Sequence, residues 1–177
     1  MNKKLTIILA FLLLVLMSAY SQKNVAKQNH YNLAIAAIKA NNLSELDAQL
    51  KHIKNIDSLI RKDESTSYTL LGYACLYKNK AAIEKLIAQK ANIDYAYSDD
   101  IYIYDALCMA IDNGDYALTK YFISKGAKVN QPYTEEGGCP LVFSCLNNNL
   151  PITALLLSSG AKADGMGNLG ADYKSYP

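Results

Sequence analysis

Three stretches of this chain are near-copies of one another, and each closes on a short motif built around an alanine. The equivalent alanines are Ala91, Ala127 and Ala161, which lie 36 and 34 residues apart. A period near ~33 residues indicates a stacked helical repeat, in which each unit buries its apolar face only against its neighbours. Such an array usually offers a binding surface and seldom a catalyst. The closing motifs run from Gln89 to Asp94, from Lys125 to Asn130 and from Ser159 to Asp164.

Each copy has the same internal order. An apolar segment is followed by a polar turn, a second apolar segment and the closing motif. In the second segment the apolar residues recur at helical spacing, as Ile83 does with Leu86 and Ile87. This pattern predicts helix–turn–helix units at about 69–101, 105–137 and 139–164.

Residues at the ends of these segments agree with that prediction. Asp115 is placed to cap a second helix, because its carboxylate can accept from N–H groups that lack a helical partner. Pro151 falls in the first turn of another helix, where its missing N–H costs nothing. Gly126 and Gly160 suit the left-handed residue that ends a helix.

A degraded fourth copy precedes the other three, at about 32–64. Its apolar segments run from Leu33 to Ile38 and from Leu43 to Leu50, and it closes on Asn55 to Asp57, which echoes Asn92 to Asp94. The segments are more polar than in the other copies. A terminal unit that faces solvent needs this composition, so we expect a capping unit.

The repeats resemble the ankyrin repeat. Residues 139–144 approach its consensus Thr-Pro-Leu-His-x-Ala, and residues 126–130 meet its closing Gly-Ala-x-Val-Asn in full. No copy keeps the consensus His, which is replaced by Gly72, Cys108 and Val142. The resemblance covers about 32–164 and implies an all-α ankyrin-repeat helical solenoid, whose helix-turn-helix units are joined by hairpin loops.

The N-terminus is typical of a secretory signal peptide. Lys3 and Lys4 precede an apolar run at 5–17, which is shorter than the roughly 20 residues that span a bilayer. Ala19 and Ser21 are small residues two apart, as a signal peptidase needs. We predict cleavage after Ser21, which leaves a repeat domain at 22–164 and a tail at 165–177. The protein is then expected to be a periplasmic or secreted bacterial protein. The alternative is an uncleaved anchor on a membrane-tethered structural protein.

Charge limits the choice of partner. Loss of the two N-terminal lysines takes the formal net charge from +2 to 0. A neutral chain has no global field that attracts nucleic acid or an anionic membrane, so neither is an expected partner after cleavage. A neutral chain is also little protected from self-association.

The spacing of the cysteines and histidines does not predict a metal site. No two cysteines have the close spacing of a zinc site, and the histidines, His30 and His52, are far from them in sequence. Buried thiols in a helical core are the favoured interpretation, and a disulfide between adjacent units, such as Cys75 with Cys108, stays open. The cysteines are Cys75, Cys108, Cys139 and Cys145.

No catalytic, cofactor-binding or metal-binding residues are predicted, and we expect a protein that is not an enzyme. His52 lies near Asp47 and Asp57 in sequence, but such residues on an amphipathic segment usually form a solvated face. Residues 165–170 fit Gly-x-Gly-x-x-Gly without the strand and helix that a phosphate loop needs. An enzyme with an unrecognised site is the alternative, favoured only if the Cys108 thiol were exposed and unusually acidic.

Tyrosine is the informative part of the composition, with 14 Tyr and no Trp. Four of them, at 95, 97, 102 and 104, lie where two units join, and Tyr68 and Tyr133 lie in matching loops. The ankyrin resemblance implies that these loops are hairpin fingers, which form a concave protein-binding surface with the first helices. Tyrosine is enriched at binding hot spots, although such rings can instead pack between fingers and stabilise the array. The predicted partner-binding residues are Thr66, Tyr68, Leu76, Tyr77, Ile101, Tyr102, Tyr104, Asp112, Asn113, Glu135, Glu136, Leu146 and Asn147.

The function predicted from these observations is binding of a protein partner whose identity the residues do not give. An inhibitor or immunity partner for a toxin and a scaffold for an envelope protein are both compatible with it, because repeat arrays vary their surface while keeping their frame.

Overall fold

The computed structural model describes residues 3–98, 103–131 and 139–163. The chain divides into two compact units, Met1–Lys54 and Asn55–Pro177. The boundary falls inside the predicted first repeat, because the closing residues of that repeat bond to the unit that follows: Asp57 accepts from the N–H of Asn92 at 2.8 Å.

The first compact unit is a pair of helices, α1 (Lys3–Lys39) and α2 (Leu43–Leu50). Asn41 makes the turn at a φ of 54°, and the Asn42 side chain caps α2 by accepting from the N–H of Glu45 at 3.0 Å. α1 runs without a break through the predicted signal peptide, and among its described side chains, at 12–22 and 28–39, the buried ones lie between Tyr31 and Ile38. Among the helices of the described residues, none combines the length and the apolar character that crossing a membrane requires.

The second compact unit contains three stacked helix pairs. The first helix of each pair packs on the first helix of the next, α3 on α5 and α5 on α7, and α6 packs on α8. The predicted all-α helical solenoid is confirmed. The pairs are α3 (Leu70–Leu76) with α4 (Lys80–Ala88), α5 (Ala106–Asp112) with α6 (Tyr116–Ser124), and α7 (Pro140–Leu146) with α8 (Leu150–Ser158).

The helix ends are where the sequence places them. Asp115 caps α6 by accepting from the N–H of Leu118 at 2.9 Å, and Pro151 lies in the first turn of α8. Gly126 and Gly160 end their helices at φ values of 92° and 91°. The predicted caps and stops are therefore confirmed.

Caps on the first helices differ among the three pairs. The side chains of Thr69 and Asp105 accept from the N–H groups of Gly72 at 3.1 Å and Cys108 at 2.7 Å. Cys139 holds the same position before α7, and its side chain makes no cap hydrogen bond. The third pair thus begins without the cap that stabilises the other two.

A ladder of hydrogen bonds joins the closing motifs of successive repeats. A side-chain oxygen of Asp57, Asp94 and Asn130 accepts from the backbone N–H of the next motif, at 2.8, 3.2 and 2.9 Å. The donors are Asn92, Lys128 and Lys162. We call these three bonds the closing-motif ladder.

The hairpin fingers form a four-stranded antiparallel sheet. Its strands are β1 (Ile60–Arg61), β2 (Ser67–Tyr68), β3 (Tyr97–Ser98) and β4 (Ile103–Tyr104), in that spatial order. β2 belongs to one finger, and β3 and β4 belong to the next. The pairing of β2 with β3 therefore joins two successive repeats of the second compact unit.

Gly72 allows this join. It replaces the consensus His at the start of α3, and a Cβ at Gly72 would lie 2.0 Å from the carbonyl oxygen of Ala96. That oxygen already accepts from the N–H of Thr69 at 2.9 Å. The backbone of one finger therefore rests directly on the helix of the preceding unit.

Replacing Gly72 with Ala is expected to destabilise the array. The new methyl group meets backbone, which cannot rotate away, at a cost of roughly 3 kcal/mol, offset by about 1 kcal/mol of better helix propensity. We expect the free energy of unfolding to fall by about 2 kcal/mol, measured by chemical denaturation. Lys120→Ala, at an exposed position of α6, is the control and should change little. Equal stability of Gly72→Ala and the parent chain would contradict the close approach.

The closing-motif ladder gives a second prediction. Asn130→Ala removes the bond from Lys162 and a second bond in which Asn130 Nδ2 donates to the Gly160 carbonyl at 3.0 Å. We expect a loss of about 1–2 kcal/mol in the free energy of unfolding. Lys128→Ala removes only the ion pair of this exposed lysine with Asp94 Oδ2 at 3.0 Å, so it should cost about 1 kcal/mol or less. A larger loss in Lys128→Ala than in Asn130→Ala would reverse the assigned order.

Candidate partner-binding site

Three tyrosines form a row across the fingers. Tyr68 pairs with Tyr97, and Tyr97 pairs with Tyr104, each directly opposite the other in the sheet. Residues directly opposite share one face of a sheet, so the rings meet: their centroids are 4.7 Å apart for Tyr68 and Tyr97, and 5.1 Å for Tyr97 and Tyr104. We call these three residues the tyrosine row. Its ends contact Tyr73, 5.3 Å from Tyr68, and Phe143, 6.1 Å from Tyr104.

A cavity of about 260 Å³ lies between the tyrosine row and α5. The helix contributes Met109, Asp112 and Asn113, which recur at spacings of three and four residues and so share one helix face. Cys108 completes the described lining and is itself buried. The cavity joins an aromatic wall on the fingers to a polar edge at the end of α5.

Asp112 supplies the charge at this edge. Much of its side chain is exposed, but burial of the carboxylate against its surroundings raises its pKa. The Asn147 Nδ2 donates to Asp112 Oδ1 at 3.2 Å, which acts in the opposite direction. This bond links the end of α5 to the residue that ends α7. The Asn113 side chain donates to the Met109 carbonyl at 2.8 Å.

Four of the predicted partner-binding residues line the cavity together: Tyr68, Tyr104, Asp112 and Asn113. Tyr68 is only 8% exposed, because its ring packs against those of Tyr73 and Tyr97. For Tyr68 the structure shows the packing between fingers that was the alternative interpretation. Its contribution to a partner is limited to the part that lines the cavity.

Of the other nine predicted residues, five are described and do not line the cavity, and four lie outside the described residues. Tyr77 is 37% exposed, with its ring centroid 6.2 Å from that of Tyr73, and Thr66 and Leu76 are partly buried. Leu146 is 76% exposed, and Asn147 is exposed beside it. The predictions that fall outside the described residues are Ile101, Tyr102, Glu135 and Glu136.

Tyr97, Cys108 and Met109 line the cavity and are missing from the predicted set. The pairing of Tyr97 with both Tyr68 and Tyr104 would have identified it, but that register is a property of the assembled sheet. Met109 could have been found from Asp112, which lies three residues later on the same helix.

The four cysteines are free thiols. Cys75, Cys108 and Cys139 are buried, as the interpretation of core thiols predicts, but the interpretation is wrong for Cys145, which is exposed. Cys145 lies on α7, and no helix of the described residues packs beyond that last pair. Burial raises the pKa of the Cys75 and Cys108 thiols, so Cys108 lacks the exposure and acidity of a nucleophile. Within the described residues, no group of three or more His, Cys, Asp or Glu could hold a metal.

These exposures predict thiol reactivity. In the folded protein, Ellman's reagent should react quickly with one thiol, Cys145, and all four should react in guanidinium chloride. The thiolate is the form that reacts, and burial disfavours ionisation of the thiol. The other three cysteines are therefore protected while the protein is folded. Cys145→Ser should abolish the fast phase, and a fast phase that survives this substitution would contradict the assigned burial.

Comparison with known proteins gives two relatives. Putative ankyrin repeat protein L371 of Acanthamoeba polyphaga mimivirus is 33% identical over 104 residues, which are 59% of this chain and 13% of that protein. Phosphocholine transferase AnkX of Legionella pneumophila is 28% identical over 127 residues, 70% of this chain and 13% of that protein. No protein-family model matches the chain.

The relatives support an ankyrin-repeat family for this chain. With the stacked helix pairs and hairpin fingers, they identify the fold as an ankyrin-repeat helical solenoid. The chain spans about 13% of the length of either relative. The transferase activity in the second name is that of the Legionella protein.

Proposed function

We propose that this chain is an exported interaction module that binds a protein partner through its concave, tyrosine-rich surface. The observation that carries the proposal is the tyrosine row, which opens beside α5 into a cavity with a polar edge. Binding hot spots combine rigid aromatic groups with a few placed polar groups, and both are present here.

The surroundings of the cavity favour a macromolecular partner over a small molecule. Tyr77, which follows the last residue of α3, and Leu146, the last residue of α7, expose apolar surface at the ends of the first helices on either side of α5. A cavity of about 260 Å³ lies below the ~300–1,000 Å³ typical of small-molecule sites. It suits one side chain of a partner that covers the neighbouring helices as well.

Several biological roles are compatible with this surface. An inhibitor or immunity partner of a toxin and a scaffold for an envelope protein would each use it in the same way. A membrane-tethered structural protein is the second candidate, which the apolar run at 5–17 favours if it is kept. We regard catalysis as the least supported role, since the Cys108 thiol is buried and its pKa is raised.

Export is supported by the N-terminal pattern and by packing. The side chains of Leu12 to Met17 are 50–69% exposed, and among the described side chains of α1 the first buried one is Tyr31. Removal of residues 1–21 would leave the described core of the first compact unit unchanged. We expect mass spectrometry of the protein from the native cell to give the mass of a chain that begins at Gln22. The mass of a chain that still contains Met17 would favour the tethered alternative.

The binding proposal is tested by affinity capture from the native cell. The chain carrying a C-terminal tag is compared with a variant that combines Tyr77→Ala, Tyr104→Ala and Asn113→Ala, all on the proposed surface. We expect a protein to be retained by the parent chain and lost by the variant, because removal of two hot-spot rings typically costs at least 2 kcal/mol of binding.

The matched control is the double variant Tyr116→Ala with Lys120→Ala. It removes an exposed tyrosine and an exposed lysine from α6, the second helix of its pair, and should retain the partner. Thermal midpoints verify that both variants are folded. Retention by the first variant and loss by the control would move the binding face to the second helices.

A further inference from the structure

The described lining of the cavity beside α5 carries a negative group and no positive one. Among the described residues its lining consists of three tyrosines, Cys108, Met109, Asp112 and Asn113, so this part of the lining includes a carboxylate and no Lys or Arg. We propose that it receives a positively charged side chain, a lysine or an arginine, from the protein partner. The inference rests on the proposed function and names the chemistry that the partner presents.

The aromatic wall favours a cation. The faces of aromatic rings are negative, and a cation within ≈ 6 Å of a ring centroid is attracted by them. Neighbouring rings of the tyrosine row have their centroids 4.7 Å and 5.1 Å apart, so a cation in the cavity can approach more than one of them. An apolar side chain would gain only burial and would leave the Asp112 carboxylate without an oppositely charged partner.

The polar edge points to the same ligand. Among the described residues, no Lys or Arg forms an ion pair with Asp112, whose hydrogen-bond donor is the neutral amide of Asn147. The Asn113 Nδ2 is engaged by the Met109 carbonyl, and the Asn113 Oδ1 accepts no bond from the described residues. Both groups can accept, and a cationic side chain supplies only donors.

Partial desolvation of Asp112 strengthens the preference. Burial raises the pKa of this carboxyl, which means that the ionised form is less well stabilised than in water. A bound cation stabilises the ionised form directly. An anionic or acidic partner group would be repelled from the same position.

Methionine methyl resonances provide a direct test, because the chain has four methionines and Met109 lines the cavity. The full chain is labelled at the methionine methyl carbon, and Met109→Leu assigns the resonance. n-Butylammonium and n-propylguanidinium chlorides, which reproduce the ends of lysine and arginine, are titrated at constant ionic strength. Pentan-1-ol is the neutral probe of similar size.

We expect a saturable shift of the Met109 resonance with either cation and at least about tenfold weaker binding of pentan-1-ol. Asp112→Asn should weaken cation binding about tenfold, as loss of a partly desolvated charge pair does. Glu84→Gln removes the same charge from the exposed face of α4 and should leave the affinity unchanged. The Met109 resonance also verifies that each variant is folded around the cavity.

Three results would overturn the inference: no saturable shift with either cation, equal or tighter binding of pentan-1-ol, or unchanged cation binding in Asp112→Asn. The failures of the two proposals are distinguishable. If affinity capture depends on Tyr77, Tyr104 and Asn113 while the Met109 resonance does not shift with the cations, the binding face is supported and the cation site is wrong. If capture does not depend on those residues, the binding face itself falls.

Discussion

The hydrogen bond from one closing motif to the next is the interaction on which the rest of the second compact unit depends. Asp57, Asp94 and Asn130 each hold the backbone of the following motif with a side-chain oxygen. A repeat array has few contacts between distant units, so the spacing of neighbours must be set locally. A short polar side chain is suited to this task because it has little freedom once its oxygen is engaged.

That spacing has a consequence at the fingers. Strands β2 and β3 come from successive repeats. They pair only when one repeat has the correct translation and rotation relative to the next. The pairing in turn aligns Tyr68, Tyr97 and Tyr104. Gly72 contributes by letting the Ala96 carbonyl approach α3 without a side chain between them. The candidate site thus depends on the stacking of successive repeats, and no single repeat contains it.

The sequence predicts the parts of this structure that depend on neighbours in the chain. The period, the Asp115 cap and the stops at Gly126 and Gly160 all follow from local rules, and they are confirmed. The burial of Tyr68 and the place of Tyr97 in the cavity depend on the register between units, which no single repeat encodes. The need for glycine at position 72 could not be predicted for the same reason. The atom that excludes a side chain there is the carbonyl oxygen of Ala96, 24 residues later in the chain.

The missing cap at Cys139 gives the array a preferred direction of unfolding. The third helix pair lacks the stabilising bond that Thr69 and Asp105 provide to the first and second, and within the described residues only one neighbouring pair packs on it. In a linear array, the pair with the weakest internal stability and a single interface opens first. Opening there withdraws Phe143 from Tyr104 and Asn147 from Asp112 while the first two pairs stay folded. The cavity would then be loosened by local fluctuation well below the temperature at which the protein melts, and a bound partner that spans the third pair would suppress that fluctuation.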